Sequence, residues 1–124
     1  MDQQFTLKAD VQNDCLILTT NGYINNVGGD AIATECRSHF ARGIRDVILN
    51  LEHSKVVNSI GMSYIIEVIE QLQDNGGTLF FTNLDAAVEK MLAIMGLFKF
   101  ATKKGTVGEA LESLDRSASS SAAR

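Results

Sequence analysis

Two short, nearly continuous apolar runs do most to limit how this chain can fold: Asp46-Val47-Ile48-Leu49-Asn50-Leu51 and Thr78-Leu79-Phe80-Phe81-Thr82. Each is too short for a self-sufficient helix and too uniformly apolar for a strand with one wet face. Each therefore reads as a strand covered on both sides. Between them, residues 59–74 carry Ile65, Ile66, Ile69 and Leu72 at helical spacing, and Asn75-Gly76-Gly77 stops the helix. A strand–helix–strand unit requires parallel pairing with a right-handed crossover.

The flanking segments extend this unit. Phe5, Leu7, Ala9 and Val11 alternate with polar residues, Gln12-Asn13-Asp14 is turn-like, and Cys15 to Thr20 forms a second run, so the N-terminus reads as an antiparallel hairpin. Residues 27–42 place Ile32, Cys36 and Phe40 on one helical face. Gly28 and Gly29 weaken its first turn, and Gly43 sits where a helix end favours a left-handed residue. Asp85 can cap a third helix, in which Ala86, Val88, Met91, Leu92 and Met95 keep helical spacing as far as Gly96. Residues 98–101 have the length of a short edge strand. Thr106 and Glu109 have capping-box spacing and open a last helix through Leu114. The order is ββαβαβα(β)α. The expected fold is a single α/β domain over residues 1–114, with a mixed sheet of four to five strands and about four helices. Residues 115–124, DRSASSSAAR, have no core-forming pattern and are expected to be a disordered tail.

Composition removes several function classes. The 124 residues carry a formal net charge of −4, and the eleven Lys and Arg are scattered, which does not suit a nucleic-acid binder. No stretch approaches the roughly 20 apolar residues of a membrane span, and the start of the chain lacks signal-peptide organisation. A cytoplasmic protein is the expectation. Cys15 and Cys36 sit among apolar residues, too few and too distant for a disulfide framework or a zinc site, and read as packing residues. His39 and His53 fall in no triad or metal motif. His39 reads as a surface residue and His53 as a solvated loop residue. No glycine-rich phosphate loop follows a strand. The residues point away from catalysis and imply no cofactor and no metal.

One segment stands out: Leu49-Asn50-Leu51-Glu52-His53-Ser54-Lys55-Val56-Val57-Asn58-Ser59-Ile60-Gly61-Met62. A buried strand runs into a polar loop and then into a helix start. Asn58 and Ser59 both suit an N-cap, since their side-chain oxygens can accept from first-turn amides. That role alone accounts for their presence. Yet a helix N-terminus also offers donors and partial positive charge, and it lies at the carboxyl end of a parallel strand, where open α/β sheets place their sites.

Here the chain resembles the STAS family, which includes the anti-sigma factor antagonists of bacteria. A strand, a loop, D-[ST]-[ST]-G and an apolar helix are that family's signature. The resemblance extends from Phe5 to Leu114 and takes in Gly22-Tyr23-Ile24, the stretch Met91 to Phe100 and Glu109-Ala110-Leu111. It implies a regulatory domain that binds an anti-sigma factor, itself a serine kinase, and loses its partner when a hydroxyl directly before the motif glycine is phosphorylated. The phosphate brings about −1.5 to −2 charge to the contact surface.

This sequence departs from that pattern. With Gly61 as the motif glycine, Ile60 occupies the phosphoacceptor position and has no hydroxyl. Asn58 replaces the usual aspartate, and Ser59 falls at the first of the paired hydroxyl positions. Three readings stay open: phosphorylation of Ser59 in a shifted register, constitutive binding with Ile60 as an apolar contact, or regulation elsewhere. For the last, Ser54 reads as exposed but outside the motif, and Ser63 as a small packing residue. The implied partner surface is the loop Ser54 to Asn58 with Ser59, Ile60, Gly61 and Met62, and beside it Tyr23, Ile24, Asn25 and Asn26, with Met62 and Tyr64 as either apolar anchors or core. Another use of the same fold is a non-switching subunit of a larger signalling or lipid-transport assembly. A small nucleotide-binding domain has no phosphate-loop motif behind it. An uncovered sheet edge allows weak self-association, so the chain is expected to be a monomer or a weak dimer.

Overall fold

The computed structural model describes residues 4–122. Its elements are β1 (Thr6–Gln12), β2 (Cys15–Asn21), α1 (Asn26–Phe40), β3 (Asp46–His53), α2 (Ser59–Asp74), β4 (Thr78–Thr82), α3 (Ala86–Ile94), β5 (Thr102–Lys104) and α4 (Val107–Ala122), with a short 3₁₀ turn at Leu97–Lys99 before β5. The five strands lie side by side in chain order. β1 and β2 are antiparallel, and every later neighbour is parallel. This is the mixed α/β sheet that the two buried runs and the N-terminal hairpin imply.

Period-two alternation divides the sheet residues between two cores. On one face Leu16, Leu18, Val47, Leu49, Leu51, Leu79 and Phe81 pack with Ile32 and Cys36 of α1, Ile65, Val68, Ile69 and Leu72 of α2, and Val88 and Leu92 of α3. On the other, Cys15, Ile17, Ile48 and Phe80 pack against Val107, Ala110, Leu111 and Leu114 of α4. β2, β3 and β4 are therefore covered on both sides, which explains their unbroken apolar runs. The Phe81 ring meets Phe98 edge-on, with centroids 6.1 Å apart, and ties β4 to the turn after α3.

Hairpin and helix boundaries follow from local chemistry. Asn13 and Asp14 both have positive φ, 53° and 62°, the two-residue turn whose twist matches that of its strands. Gly43 ends the α1 connection at φ 94°. Two expectations are corrected. Residues 98–101 are not the edge strand: Gly96, left-handed at φ 77°, lets the chain coil through the 3₁₀ turn, and pairing with β4 begins at Thr102. The last helix does not stop at Leu114. It continues to Ala122, through a stretch that holds no glycine or proline to break it, so the tail expected over residues 115–124 is helical for most of its length. At its start Glu109 N–H donates to Thr106 Oγ1 (3.1 Å), while the Glu109 carboxylate accepts from Gly105 N–H (2.9 Å), one residue earlier than a standard capping box.

Candidate functional site

At the carboxyl ends of β2 and β3 the two connecting loops continue as a ladder. Gly22 N–H donates to His53 O, Ile24 N–H to Val56 O and Asn58 N–H to Ile24 O, each at 3.0 Å. Ile24 and Val57 pair as an isolated parallel bridge, and both side chains are buried. The segment before α1 is thus held against the segment before α2, which brings Tyr23, Asn25 and Asn26 beside Asn58, Ser59 and Ile60.

Both helix starts are closed by asparagine. Asn25 Oδ1 accepts from Val27 N–H (3.0 Å) and Gly28 N–H (3.1 Å), and Asn58 Oδ1 accepts from Gly61 N–H (2.7 Å). An amide cap is neutral, so first-turn donors are satisfied here without the negative charge that aspartate would bring. Gly61 is required by contact. A Cβ built on it would lie 2.2 Å from Ile24 O, inside the carbonyl that Asn58 N–H engages. Gly29 of α1 faces it: a Cβ there would lie 2.7 Å from the Tyr64 ring and 3.1 Å from Gly61 Cα, so α1 approaches α2 closely with Tyr64 packed over the glycine.

The proposed contact residues separate into two groups. Ser59 and Ile60 begin α2 and face outward, Ile60 with 52% of its surface exposed, and Asn26 and Tyr23 (38%) are exposed beside them. Asn25 and Asn58 are half-buried. Gly61 is buried, and Met62 is only 2% exposed, so of the two alternatives for Met62 the structure takes the core. Tyr64 is half-buried and packs on that core. Val56, within the loop expected at the partner surface, and Val27, which the sequence does not mark as part of it, are exposed apolar residues on the same rim. The Val56-Val57 pair held the clue, because in a strand-like bridge one of two successive residues must point out.

Other expectations change. Ser54 is fully buried rather than exposed: its hydroxyl lies 2.6 Å from Thr20 Oγ1, closing a pair under the loop. Ser63 is exposed rather than packed, and its hydroxyl donates to Ile60 O (2.6 Å), as helical serines commonly do. His39, expected on the surface, is half-buried, its side chain 13% exposed with Nδ1 2.8 Å from Glu35 O. His53 is exposed at the end of β3. Cys15 and Cys36 are buried, and burial pushes both thiols up to about 12, with the Asp46 carboxylate adding to the effect at Cys15. Such thiols stay protonated and unreactive at neutral pH. Beside Ser59, an open apolar groove of about 320 Å³ runs between α2 and α3, lined by Ser59, Met62, Ser63, Ile66, Met91 and Met95.

A sheet in chain order, an N-terminal hairpin and a laced helix start with its glycine describe a recognisable domain, and the sequence profile of the STAS domain matches residues 6–110. The chain belongs to the STAS domain family. Among solved structures, STAS-like similarity is clear to a proposed anti-sigma factor antagonist from Thermotoga maritima, at TM-score 0.80 and 18% identity over 86% of this chain and 92% of that one. The anti-sigma factor antagonist SpoIIAA in its unphosphorylated form matches at 0.72 and 17%, over 90% and 98%. The phosphorylated form of SpoIIAA from Bacillus matches at 0.70 and 18%, over 90% and 99%. At these identities the likeness is one of fold. No helix among the described residues is long and apolar enough to cross a membrane.

Proposed function

We propose that this STAS domain is a cytoplasmic, non-catalytic regulator of transcription that docks an anti-sigma factor or related serine kinase through the rim of Tyr23, Asn25, Asn26, Asn58, Ser59 and Ile60. The observation that carries the reading is the outward-facing Ile60 directly before Gly61, flanked by exposed Tyr23, Val27 and Val56. Apolar side chains held on a rigid, hydrogen-bonded rim favour a partner surface, because their burial yields free energy without ordering a loop first. Gly61 and Met62 support the rim from beneath rather than touching the partner.

In this reading the complex forms constitutively, since the residue at the acceptor position has no hydroxyl to phosphorylate. A second reading is favoured by one observation: Ser59 is exposed at the first position of α2, where a kinase could reach its hydroxyl. SpoIIAA, a fold relative, has been solved in both unphosphorylated and phosphorylated forms.

The test is affinity capture of partners from the native cell with and without ATP, beside intact-mass measurement after incubation with the captured kinase. Constitutive docking predicts ATP-indifferent capture, no added phosphate, and loss of capture on Ile60→Asp. One added phosphate that Ser59→Ala abolishes supports the second reading. Capture of a multi-subunit assembly that Ile60→Asp leaves intact overturns both and favours a structural subunit.

A further inference from the structure

We infer that β1 is a self-complementary edge through which two copies of this chain pair, making one continuous sheet across a twofold axis at Ala9. β1 ends the strand order, so one side of its backbone is open. Which groups face that side follows from the hairpin. Gln12 and Cys15 are the first and fourth residues of the two-residue turn, and a turn of this kind closes with a bond between them. Gln12 therefore aims its backbone groups at β2, and by alternation so do Asp10, Lys8 and Thr6. Leu7, Ala9 and Val11 aim theirs outward. One contact agrees with this assignment: Val11 N–H is engaged by the neighbouring Asp10 carboxylate at 3.0 Å rather than by a strand.

Antiparallel pairing of Thr6–Gln12 with itself, centred on Ala9, sets Ala9 opposite Ala9 and Leu7 opposite Val11 of the second copy. All of these residues have outward N–H and C=O groups. Their side chains lie on the α1/α2 face, where Leu7 already packs on the core and Val11 is 46% exposed. On the other face Lys8 stands opposite Asp10 of the second copy, and Asp10 opposite Lys8, at the closer, non-hydrogen-bonded positions where cross-strand charges interact best. Slipping the pairing by two residues in either direction sets Lys8 against Lys8 or Asp10 against Asp10. The edge thus specifies one register. Charged side chains also guard exposed edges, but Lys8 and Asp10 are matched to their own reverse, so self-pairing in this register brings opposite charges together at both positions. The occupant is a second copy, and the interface is isologous.

Sedimentation of the full chain over a wide concentration range tests this directly. Wild type should show a reversible, salt-weakened monomer–dimer equilibrium. Lys8→Asp and Asp10→Lys should each weaken the dimer at least about tenfold, since each places like charges at both cross-strand pairs. An equimolar mixture of the two variants should restore association as a heterodimer, and the double charge reversal should restore the homodimer. Ala9→Pro, tolerated on an open edge but lacking the outward N–H at the axis, should abolish pairing while circular dichroism and the thermal transition stay native. A wild type that stays monomeric at the highest concentration, or a dimer indifferent to these substitutions, overturns the inference.

Discussion

Gly61→Ala gives a clean test of how the rim is built, because two physical effects on it have opposite signs. Gly61 lies in the first turn of α2 and its φ is not in the left-handed region, so alanine is conformationally allowed there. Helix propensity alone would make the substitution stabilising by up to about 1 kcal/mol. The contact argues otherwise. The added Cβ would lie 2.2 Å from Ile24 O and 2.8 Å from Ile24 C, both backbone atoms of a segment held by the Ile24 N–H to Val56 O and Asn58 N–H to Ile24 O bonds. Relief requires the loops to separate. Overpacking costs about 1–3 kcal/mol, and weakening the bond to Ile24 O adds about 1 kcal/mol. Against the propensity gain the net loss is about 1–3 kcal/mol. With a urea m-value of about 1.5 kcal/mol/M, the midpoint falls by about 1–2 M. Gly43→Ala is the control: its φ is +94° and nothing lies within 4 Å of the added Cβ, so only about 1–2 kcal/mol of left-handed strain applies. A Gly61→Ala protein as stable as wild type, or more so, would refute the claim that the loops are locked through this contact.

Ser54→Ala should cost about 1–2 kcal/mol in urea denaturation, because it orphans the buried Thr20 hydroxyl 2.6 Å away; adding Thr20→Val should recover part of that loss. Asn58→Ala removes the acceptor of Gly61 N–H and should lower stability by about 1 kcal/mol, whereas Asn58→Asp should keep the cap and gain from the helix dipole. Burial raises the Cys15 and Cys36 thiols from 9.0 to about 12, so the folded state holds these protons longer than the unfolded chain. The stability tied to them is therefore complete below about pH 8 and falls as pH rises from about 9 towards 12, by up to about 1.4 kcal/mol per pH unit for each thiol. Urea midpoints at pH 8 and 10.5 should show that slope, and Cys15→Ala and Cys36→Ala should each flatten it. An unchanged slope in both variants would assign alkaline loss to other groups.

How much of this could be read from the sequence depended on whether a residue's partners were local. The buried strands, α2 and the caps at Asn58 and Asp85 are set by neighbours within a few positions, and they appear where periodicity and capping chemistry put them. Several of the features the sequence obscured depend on residues far along the chain. Ser54 looks like a loop serine until Thr20, 34 positions earlier, is brought against it. Met62 looks as available as Ile60, but its turn of α2 points at the core. Gly61 reads as a motif position in sequence, and only the approach of Ile24 O shows why no other residue fits. The shift of the edge strand from residues 98–101 to Thr102–Lys104 has a local cause, the left-handed Gly96, which the sequence contains but whose coil the apolar pattern of Phe98 and Phe100 obscured.

The chemistry of the rim follows from how its helix starts are closed. A helix N-terminus left open, or presented beside paired hydroxyls, suits an anion. Here Asn25 and Asn58 take up first-turn amides with neutral side chains, and beside the exposed polar Asn26 and Ser59 the rim carries the apolar Val27 and Ile60. In the proposed reading, isoleucine at position 60 both leaves the motif position without a hydroxyl and supplies an apolar surface. If Ile60 were merely a degenerate acceptor, Ile60→Ser would be neutral for partner capture. If the rim docks its partner through apolar contact, Ile60→Ser should weaken capture by roughly tenfold, the expected loss for about 1–2 kcal/mol of side-chain burial.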